Sequence, residues 1–499
     1  MDPPEETEDA ARPPHRRRQR RRGALHIQWT LLFTVSFMIL SLFKLEPLAR
    51  NSLRDHDVEI DAPHNNEIDS LQLVSTKNAS LTRNEEEEKE ENFLPRVLAF
   101  VFPQFHKDSL NDQIWGEGFT DWDSLRKAPD KNRLGFQIPR PTELGYYNYS
   151  DAVPRRKQGE LANQYGIDGF IFHHYWFNDE AHPGPNLHEP LVNMLKDGYP
   201  DVPFALNWVA HKWVMTWQAP VRPDYKFPES DVLKKQEFPN DEEKVKEHYD
   251  WLKQFFHHPN YIKVDGKPLF MLYQKKAGHR HWLPRLQKLA ILDGFKGLYV
   301  VVGISKPHEH LLVVEDEEFQ GAITAANKQK ERLFGSTFYK QSLFDKVLDY
   351  PHPSNWAKGR SLEIPSWCLD SSDGRNKSTV KRGIEIAGIV NSFDNTPRRN
   401  FTDAVVFTAG EPNEVIEMFR KSLDAALYYE ACCFSDTNDR LSKVKKADDR
   451  FILINAMNEW GEGMALEPSN VYGRKFLETI RDTKDAITKS RCSRSRLAV

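Results

Sequence analysis

Short apolar segments alternate with longer amphipathic segments over most of this chain. The apolar segments are hydrophobic at consecutive positions, as expected for strands that are covered on both faces of a parallel sheet. They lie at residues 97–102, 169–172, 204–208, 269–273, 298–303, 321–324, 389–393 and 451–455. The amphipathic segments, which we predict to be helices, lie at 155–165, 187–196, 242–256, 282–292, 413–429 and 473–487.

Eight predicted strands that alternate with helices indicate an α/β fold of the (β/α)8, or TIM-type, barrel class. Two connections, 209–260 and 325–387, are long and predict insertions. An open, doubly wound sheet is the alternative. It is less favoured because no Gly-x-Gly-x-x-Gly or P-loop sequence follows any predicted strand.

The first 44 residues have a different pattern from the rest. Seven arginines lie between residues 12 and 22, and residues 29–43 contain no charged side chain. We predict a basic cytosolic tail at 1–23 and a single transmembrane signal-anchor helix at 24–44. The alternative, a cleaved signal peptide, usually has small residues before its cleavage site, whereas bulky Leu42, Phe43 and Leu45 stand at the end of this apolar stretch.

Residues 45–93 are polar and acidic, so we predict a flexible stem. The barrel is expected at 94–489 and a disordered basic tail at 490–499. Anchor, stem and globular domain resemble the plan of Golgi carbohydrate enzymes. The sequence thus predicts a single-pass type II protein of a Golgi or other secretory-pathway membrane, with a lumenal barrel. Its predicted N-glycosylation sites are Asn78, Asn148, Asn376 and Asn400.

Composition narrows the range of partners. The 499 residues have a net charge of −4, which gives no overall basic field for binding nucleic acid, and four cysteines are too few for a disulfide-built scaffold. Twelve tryptophans are present. Most single tryptophans pack in a core, but several here follow predicted strands.

In a barrel of this class, chemistry lies at the carboxyl ends of the strands, where this sequence places many polar and aromatic residues. Indole rings stack on sugar rings, whereas carboxylates, amides and imidazoles bind hydroxyl groups. We therefore predict a carbohydrate cleft. Its predicted substrate-binding residues are Gln104, His106, Trp115, Asp121, Trp122, His174, Tyr175, Trp176, Asn207, Trp208, His211, Trp213, Tyr273, Asp394, Asn395, Asn458 and Trp460.

The sharpest local motif is Asn-Glu-Trp-Gly-Glu-Gly at 458–463, directly after the eighth predicted strand. Glu459 and Glu462 are three positions apart, which brings their side chains close together in a helical turn. Neighbouring carboxyls have split pKa values, and glycosidic chemistry needs one acid and one base or nucleophile. We predict Glu459 and Glu462 as the catalytic pair, although Glu-x-x-Glu is commonly an exposed helix face.

We predict no metal site and no cofactor. The adjacent histidines 173 and 174 should point to opposite faces of their strand, and no His-x-x-x-His with a matching carboxylate is present. Asp121 and Asp123 have the Asp-x-Asp form of many metal-nucleotide transferase sites. Because they follow the first predicted strand, we interpret Asp121 as a loop or sugar-binding residue instead.

The chain resembles the WbsX family, named as glycosyltransferases of bacterial polysaccharide loci, and the related glycoside hydrolase family 99 of endo-α-1,2-mannosidases. The resemblance covers nearly all of 95–485 through the segments FVFPQFH, NDQIWGEGFTDWDSLRKA, ELGYYNYSD, YGIDGFIFHHYWF, HPNYIKVDGKPLFMLY, SFDNTPRR and NAMNEWGEGMALEPSNVYG. It implies a (β/α)8 barrel and a metal-independent, retaining mechanism. By this resemblance Glu459 assists the sugar 2-hydroxyl and Glu462 is the acid/base.

The sequence departs from these relatives at a few positions. Gly461 replaces the hydrolases' histidine, as in the WbsX branch, and Ala210-His211-Lys212-Trp213 replaces an Asn-Glu-Asn-Trp stretch. Three functions remain open: a lumenal glycosidase or transglycosylase, a WbsX-type glycosyltransferase in polysaccharide or glycan synthesis, and a non-catalytic glycan-binding barrel. In each, the partner is a glycan.

Overall fold

A computed structural model describes residues 94–179, 183–273, 276, 278–304, 336–341, 385–406, 410–432 and 450–490. The predicted cytosolic tail, anchor and stem lie outside these residues, as do Asn78, Asn376, residues 491–499 and most of the second predicted insertion. Within the described ranges, no helix combines the length and the apolar composition that crossing a membrane requires.

Eight parallel strands form a closed barrel. Their bounds are β1 Arg96–Val101, β2 Gly169–Phe177, β3 Phe204–Trp208, β4 Lys267–Leu272, β5 Tyr299–Ile304, β6 Ser336–Gln341, β7 Glu385–Val390 and β8 Phe451–Asn455. Each strand pairs in parallel with the next, and β1 closes the ring by pairing with both β2 and β8. Closure confirms the predicted barrel and excludes the open sheet.

Helices lie between and after the strands. Their bounds are α1 Ser109–Trp115, α2 Asp121–Lys127, α3 Ala152–Tyr165, α4 Glu189–Asp197, α5 Glu242–Phe256, α6 His279–Leu292, α7 Pro412–Cys432 and α8 Lys475–Ser490. Helix α5 begins as its sequence predicts: the Asp241 side chain accepts a hydrogen bond from the Glu243 amide at 2.8 Å, and acidic residues fill the first turn.

The sixth strand lies at a different position in the sequence from the one predicted. The predicted segment 321–324 lies outside the described residues, and the barrel position between β5 and β7 is taken by β6. The β6 sequence is Ser-Thr-Phe-Tyr-Lys-Gln, which contains a lysine and a glutamine and only two aromatic residues. A search for continuous apolar segments therefore misses it.

Strand parity divides the side chains of β2 and β3 between two environments, because successive strand residues point to opposite faces. His174, Trp176 and Trp208 point outward and pack against α5 and α6. Trp208 contacts His248 of α5 with ring centroids 4.6 Å apart and Trp282 of α6 at 5.7 Å. We call these five residues, together with Trp251 of α5, the aromatic layer: His174, Trp176, Trp208, His248, Trp251 and Trp282.

Several short elements stand at the carboxyl end of the barrel. Helices α1 and α2 follow β1, and a two-stranded ribbon of Trp213–Val214 and Val232–Lys234 follows β3. After β8 the chain forms a tight hairpin in which Asn458–Glu459 pairs with Met464–Ala465. This hairpin positions the residues of the candidate site.

Candidate active site

The hairpin after β8 carries both predicted catalytic glutamates. Residues Trp460–Glu462 form one turn of 3₁₀ helix between its strands, and Gly463 closes the turn with a φ of +66°. Asn458 ties the hairpin to the end of β1. Its amide oxygen accepts from the Phe102 N–H at 2.8 Å, and its amide nitrogen donates to the Phe102 carbonyl at 2.9 Å.

Arg398 lies at the centre of the site and binds three carboxylates. Its Nη2 is 2.7 Å from Asp121 Oδ2 and 2.5 Å from Glu459 Oε1, and its Nη1 is 3.0 Å from Glu462 Oε1. The guanidinium also lies over the rings of Phe102 and Trp217, 5.1 and 4.7 Å from their centroids. We call Arg398, Asp121, Glu459 and Glu462 the carboxylate centre.

Gly461 explains how the arginine reaches both glutamates. A Cβ atom at position 461 would collide with the Arg398 side chain and with the Asp121 carboxylate. The Arg398–Asp121 ion pair therefore occupies the space that any side chain at this position would need.

The carboxylate centre retains protons near neutral pH. Burial raises the pKa of Glu462 to about 7 and raises that of Glu459 well above its usual range, while the Arg398 charge acts in the opposite direction. Both side chains are only 4% exposed. Burial acts on both glutamates and most strongly on Glu459, whereas the shorter contact with Arg398 favours the charge on Glu459. When the pair shares a single proton, we place it on Glu462 because of that direct contact.

A small cavity of about 20 Å³ lies beside Glu459, inside the mouth of the barrel. It has room for a water molecule but not for a sugar ring. Its polar lining includes His173, Tyr175, Tyr273 and Asn455. Burial raises the pKa of the Tyr175 phenol well above its usual value, so this group stays a neutral donor.

His173 is also neutral, because burial lowers its pKa to about 3. Its Nδ1 lies 3.2 Å from Asn207 Nδ2, and donation from the amide leaves the ring proton on Nε2. The cavity thus has an imidazole whose tautomer is set by Asn207. Sequence reasoning chose His174 instead.

Several buried polar atoms around the barrel mouth have no hydrogen-bond partner in the described part of the chain. Unsatisfied buried polar atoms are uncommon in folded proteins and mark sites where water or a ligand binds. They are Glu462 Oε2, Tyr175 Oη, Asn207 Oδ1, His211 Nε2 and both amide atoms of Gln104.

The outward-facing residues of β2 and β3 lie away from this site. His174 Nε2 is 2.8 Å from His248 Nε2, and the His174 ring stacks on Trp251 at 4.4 Å. Trp176 stacks on His248 at 4.6 Å. Because strand parity directs His174, Trp176 and Trp208 into the aromatic layer, we remove these three residues from the candidate site.

Other predicted site residues form hydrogen bonds within the loops around the carboxylate centre. The Trp460 indole donates to Glu467 Oε2 at 2.6 Å, and the Trp122 indole donates to the Tyr147 carbonyl at 2.6 Å. His106 Nδ1 lies 2.7 Å from the Pro103 carbonyl, and burial lowers the His106 pKa to about 4. These contacts fix the loops that carry the carboxylate centre.

The turn after β7 has a similar supporting role. Asp394 accepts hydrogen bonds from the Thr396 amide at 2.9 Å and from Asn132 at 2.9 Å, and Asn395 accepts from the Val405 amide at 2.7 Å. This turn leads directly into Arg398. Burial raises the pKa of Asp394.

Aromatic residues near the mouth contact one another. Trp115 stacks on Trp217 at 6.3 Å, Trp213 packs against Tyr175 at 5.8 Å, and the His211 ring lies 5.1 Å from Tyr273. Trp213 and His211 are buried, whereas Trp115 and Tyr273 are partly exposed.

Two functional candidates, Arg398 and His173, were absent from the predicted site. Arg398 could have been found from charge balance, because three acids predicted at one barrel mouth need a buried cation. His173 could have been found from parity, because it shares a strand face with Tyr175.

Asn148 and Asn400 are exposed, so both predicted glycosylation sites among the described residues are accessible. The attachment of glycans to Asn148 and Asn400 stays a prediction. Among those residues, no group of three or more His, Cys, Asp or Glu side chains is arranged to hold a metal ion.

Comparisons with known proteins identify relatives of the barrel. A family model described as "Glycosyltransferase WbsX" matches residues 97–480. Two curated relatives, each described as "Uncharacterized protein WxcX" and from two strains of Xanthomonas campestris pv. campestris, are 27% identical over 410 residues. The alignment covers 80% of this chain and 50% of each relative, so the chain spans about half the length of the curated relatives it matches.

Three solved structures resemble the chain at lower identity. The GH99 endo-alpha-mannosidase from Bacteroides thetaiotaomicron has a TM-score of 0.40 and 13% identity, covering 80% of this chain and 99% of that chain. A "Glycoside hydrolase-like protein" has a TM-score of 0.40 and 14% identity, covering 78% and 94%. The exo-beta-1,4-mannosidase Op5Man5 from Opitutaceae bacterium strain TAV5 has a TM-score of 0.37 and 12% identity, covering 72% and 61%.

Proposed function

Because this chain belongs to the WbsX glycosyltransferase family, a family of carbohydrate-active enzymes, we propose that it acts on glycosidic bonds through Glu459 and Glu462. The observation that carries the proposal is the carboxylate centre. Two buried glutamates, held by one guanidinium and retaining protons near neutral pH, can supply both an acid and a base to one reacting sugar.

Each glutamate has a separate role in the proposed reaction. Glu462 gives its proton to the departing glycosidic oxygen as the bond from that oxygen to C1 breaks. Glu459 takes the proton of the 2-hydroxyl as O2 bonds to C1. Glu462 then takes a proton from water or an acceptor hydroxyl, whose oxygen attacks C1 as the C1–O2 bond breaks, and Glu459 returns its proton to O2.

The environment of each carboxyl suits its role. Glu462 Oε2 is buried and has no hydrogen-bond partner within the described residues, so the protein leaves this oxygen uncommitted. Glu459 lines the cavity together with His173 and Tyr175, two neutral side chains that can donate to sugar hydroxyls. Arg398 is a positioning residue, because it holds both carboxylates in one orientation.

The test is a pair of amide substitutions in the full-length chain, Glu459→Gln and Glu462→Gln. We expect each to reduce turnover by a factor of about 10² or more, because an amide cannot exchange the required proton. Turnover of an oligosaccharide array is measured by released reducing ends, with retained glycan binding as the check on folding. The control is Glu242→Gln, whose carboxylate is 86% exposed. Unchanged activity in either buried variant contradicts the proposal.

A second candidate function is transfer from an activated donor, which the family name favours. Nucleotide binding by calorimetry, with nucleotide release on reaction, distinguishes it from hydrolysis.

A third candidate is a non-catalytic glycan-binding barrel, which the small volume beside Glu459 favours. Glycan binding without any turnover across the array would identify it.

We also propose that residues 24–44 anchor the chain and that the barrel lies in the lumen of the Golgi or another secretory compartment. The supporting features are the arginine-rich segment before 24–44 and the exposed Asn148 and Asn400. Removal of N-glycans by an endoglycosidase, followed as a mobility shift, tests this orientation.

A further inference from the structure

A much larger space than the central cavity lies elsewhere on the barrel rim. This groove has a volume of about 920 Å³, within the range of about 300–1,000 Å³ that is typical of ligand sites. Its walls come from α1 and from the segments that follow β2 and β3. We call it the rim groove; its lining includes Leu110, Gln113, Asp179, Tyr225, Phe227 and Lys234.

Two aromatic rings give the rim groove a surface for stacking. Tyr225 and Phe227 contact each other edge-on with centroids 5.3 Å apart. The Tyr225 ring is held in place by its hydroxyl, which donates to the Leu233 carbonyl at 2.6 Å. Phe227 is 39% exposed, so one aromatic ring is open to a ligand while its neighbour is fixed.

The lining of the rim groove has four basic and three acidic side chains, and three of the four basic ones are in ion pairs. Lys234, which is buried, lies 2.6 Å from Asp179; Arg222 lies 2.7 Å from Asp224; and Lys235 lies 2.9 Å from Glu229. A nucleoside diphosphate or an acidic sugar requires excess positive charge. A surface on which most charges are neutralised by a partner, beside aromatic rings, instead offers hydrogen bonds and stacking to an uncharged, hydroxyl-rich ligand.

A chain of contacts connects the rim groove to the carboxylate centre. Helix α1 supplies part of the groove wall and ends at Trp115, which stacks on Trp217. Trp217 in turn lies over the guanidinium of Arg398. The Arg222 amide also donates to the Ile114 carbonyl at 2.6 Å, which ties the far wall to the same helix.

From these features we propose that the rim groove is a saccharide-binding site for a neutral oligosaccharide of more than one ring, the outer part of the glycan that the barrel processes. This inference rests on the proposed function for the identity of the processed glycan. The groove provides the volume that the cavity beside Glu459 lacks.

Binding is tested in the full-length chain carrying Glu462→Gln, so that no probe is consumed. The probes are an array of short neutral oligosaccharides, with sialylated and sulfated glycans and nucleotide sugars included for comparison. We expect Phe227→Ala to weaken binding of the best neutral probe about three- to tenfold, because one stacking surface is lost. Phe227→Tyr, which keeps the ring, should restore it.

Phe401→Ala is the matched control. Phe401 is an exposed aromatic residue of similar exposure, 47%, and it does not line the groove, so its loss should leave the affinity unchanged. Equal affinities of the two alanine variants would overturn the proposal. So would the absence of binding to any neutral probe, or binding of anionic probes alone. If Glu462→Gln leaves turnover intact while Phe227→Ala weakens binding, the proposed function fails and the groove remains a saccharide site.

Discussion

The carboxylate centre, at the mouth of the barrel, and the aromatic layer, between strands β2 and β3 and helices α5 and α6, are two buried clusters built from different kinds of side chain. In the aromatic layer, neutral rings pack on one another: the His174 ring stacks on Trp251, and its Nε2 forms a hydrogen bond with Nε2 of His248. In the carboxylate centre, charges are buried around Arg398 with polar atoms left without partners nearby. The first arrangement contributes to stability, whereas the second lowers stability and keeps reactive groups in place.

The adjacent histidines 173 and 174 show how the two faces of one strand differ. Burial lowers the pKa of both His173 and His174, and both are neutral at physiological pH. His173 faces a cavity beside Glu459, whereas His174 is enclosed by indole rings. Which side of the strand a residue faces, rather than its type, therefore decides whether it can take part in chemistry.

Substitution of Arg398 should have the largest effect of the variants considered. Arg398→Met leaves Asp121, Glu459 and Glu462 without their shared cation in a buried site. Removing one partner of a buried ion pair costs about 3–5 kcal/mol, so we expect a loss of stability of this size. Urea denaturation at neutral pH measures it.

The control for that variant is Arg420→Met, which breaks an exposed ion pair with Glu417. A surface pair of this kind contributes less than about 1 kcal/mol. If both variants lose similar stability, Arg398 is not the counter-charge of the centre. Recovery of stability at acidic pH in Arg398→Met alone would support the role, because protonation neutralises the glutamates left behind.

The neighbouring histidines give a direct comparison of the two clusters. His174→Phe leaves the ring nitrogen of His248 without its partner, so we expect a loss of about 1–3 kcal/mol in unfolding free energy and unchanged kcat/KM. His173→Phe removes the N–H beside Glu459, so we expect kcat/KM to fall about tenfold. Thermal unfolding and turnover are measured on the same preparations.

The outcome that contradicts this division is a loss of turnover in His174→Phe equal to that in His173→Phe. The Asn207→Asp variant tests separately whether Asn207 sets the tautomer of His173. A carboxylate at position 207 can no longer donate to His173 Nδ1, so the proton moves to that nitrogen. The change of tautomer is visible in the ¹⁵N shifts of the imidazole.

The barrel was predictable from the sequence because seven of its eight strands overlap apolar segments, and the strand residues whose burial is described are covered on both faces. Segments 204–208 and 451–455 match β3 and β8 to the residue. The position of the carboxylate centre was also predictable, since Glu459 and Glu462 follow β8 at a fixed spacing. Strand β6 was missed because only two of its six residues, Phe338 and Tyr339, are hydrophobic.

The division of aromatic residues between site and core was not predictable in the same way. Trp208 ends β3 and Trp176 lies one residue before the end of β2, as site residues of a barrel would. Because successive strand residues face opposite sides, both side chains point into the aromatic layer instead. The Arg398 contacts were hidden for another reason: Asp121, Arg398 and Glu459 come from three distant parts of the chain. The spacing of these residues along the chain does not indicate which acidic side chains form ion pairs with Arg398.

The pH dependence of stability tests whether Glu462 is the acid of the carboxylate centre. The pKa of Glu462 is raised from 4.5 to about 7 by burial, so the folded state holds this proton more tightly than the unfolded chain does. Its stabilising contribution is full below about pH 4.5 and is lost as the pH rises through about 7. Glu462→Gln should therefore flatten the fall in melting temperature across this window. Glu242→Gln, at an exposed position, should not. Parallel pH profiles for Glu462→Gln and the parent chain would mean that Glu462 is ionised throughout, and the carboxylate centre would then lack its acid.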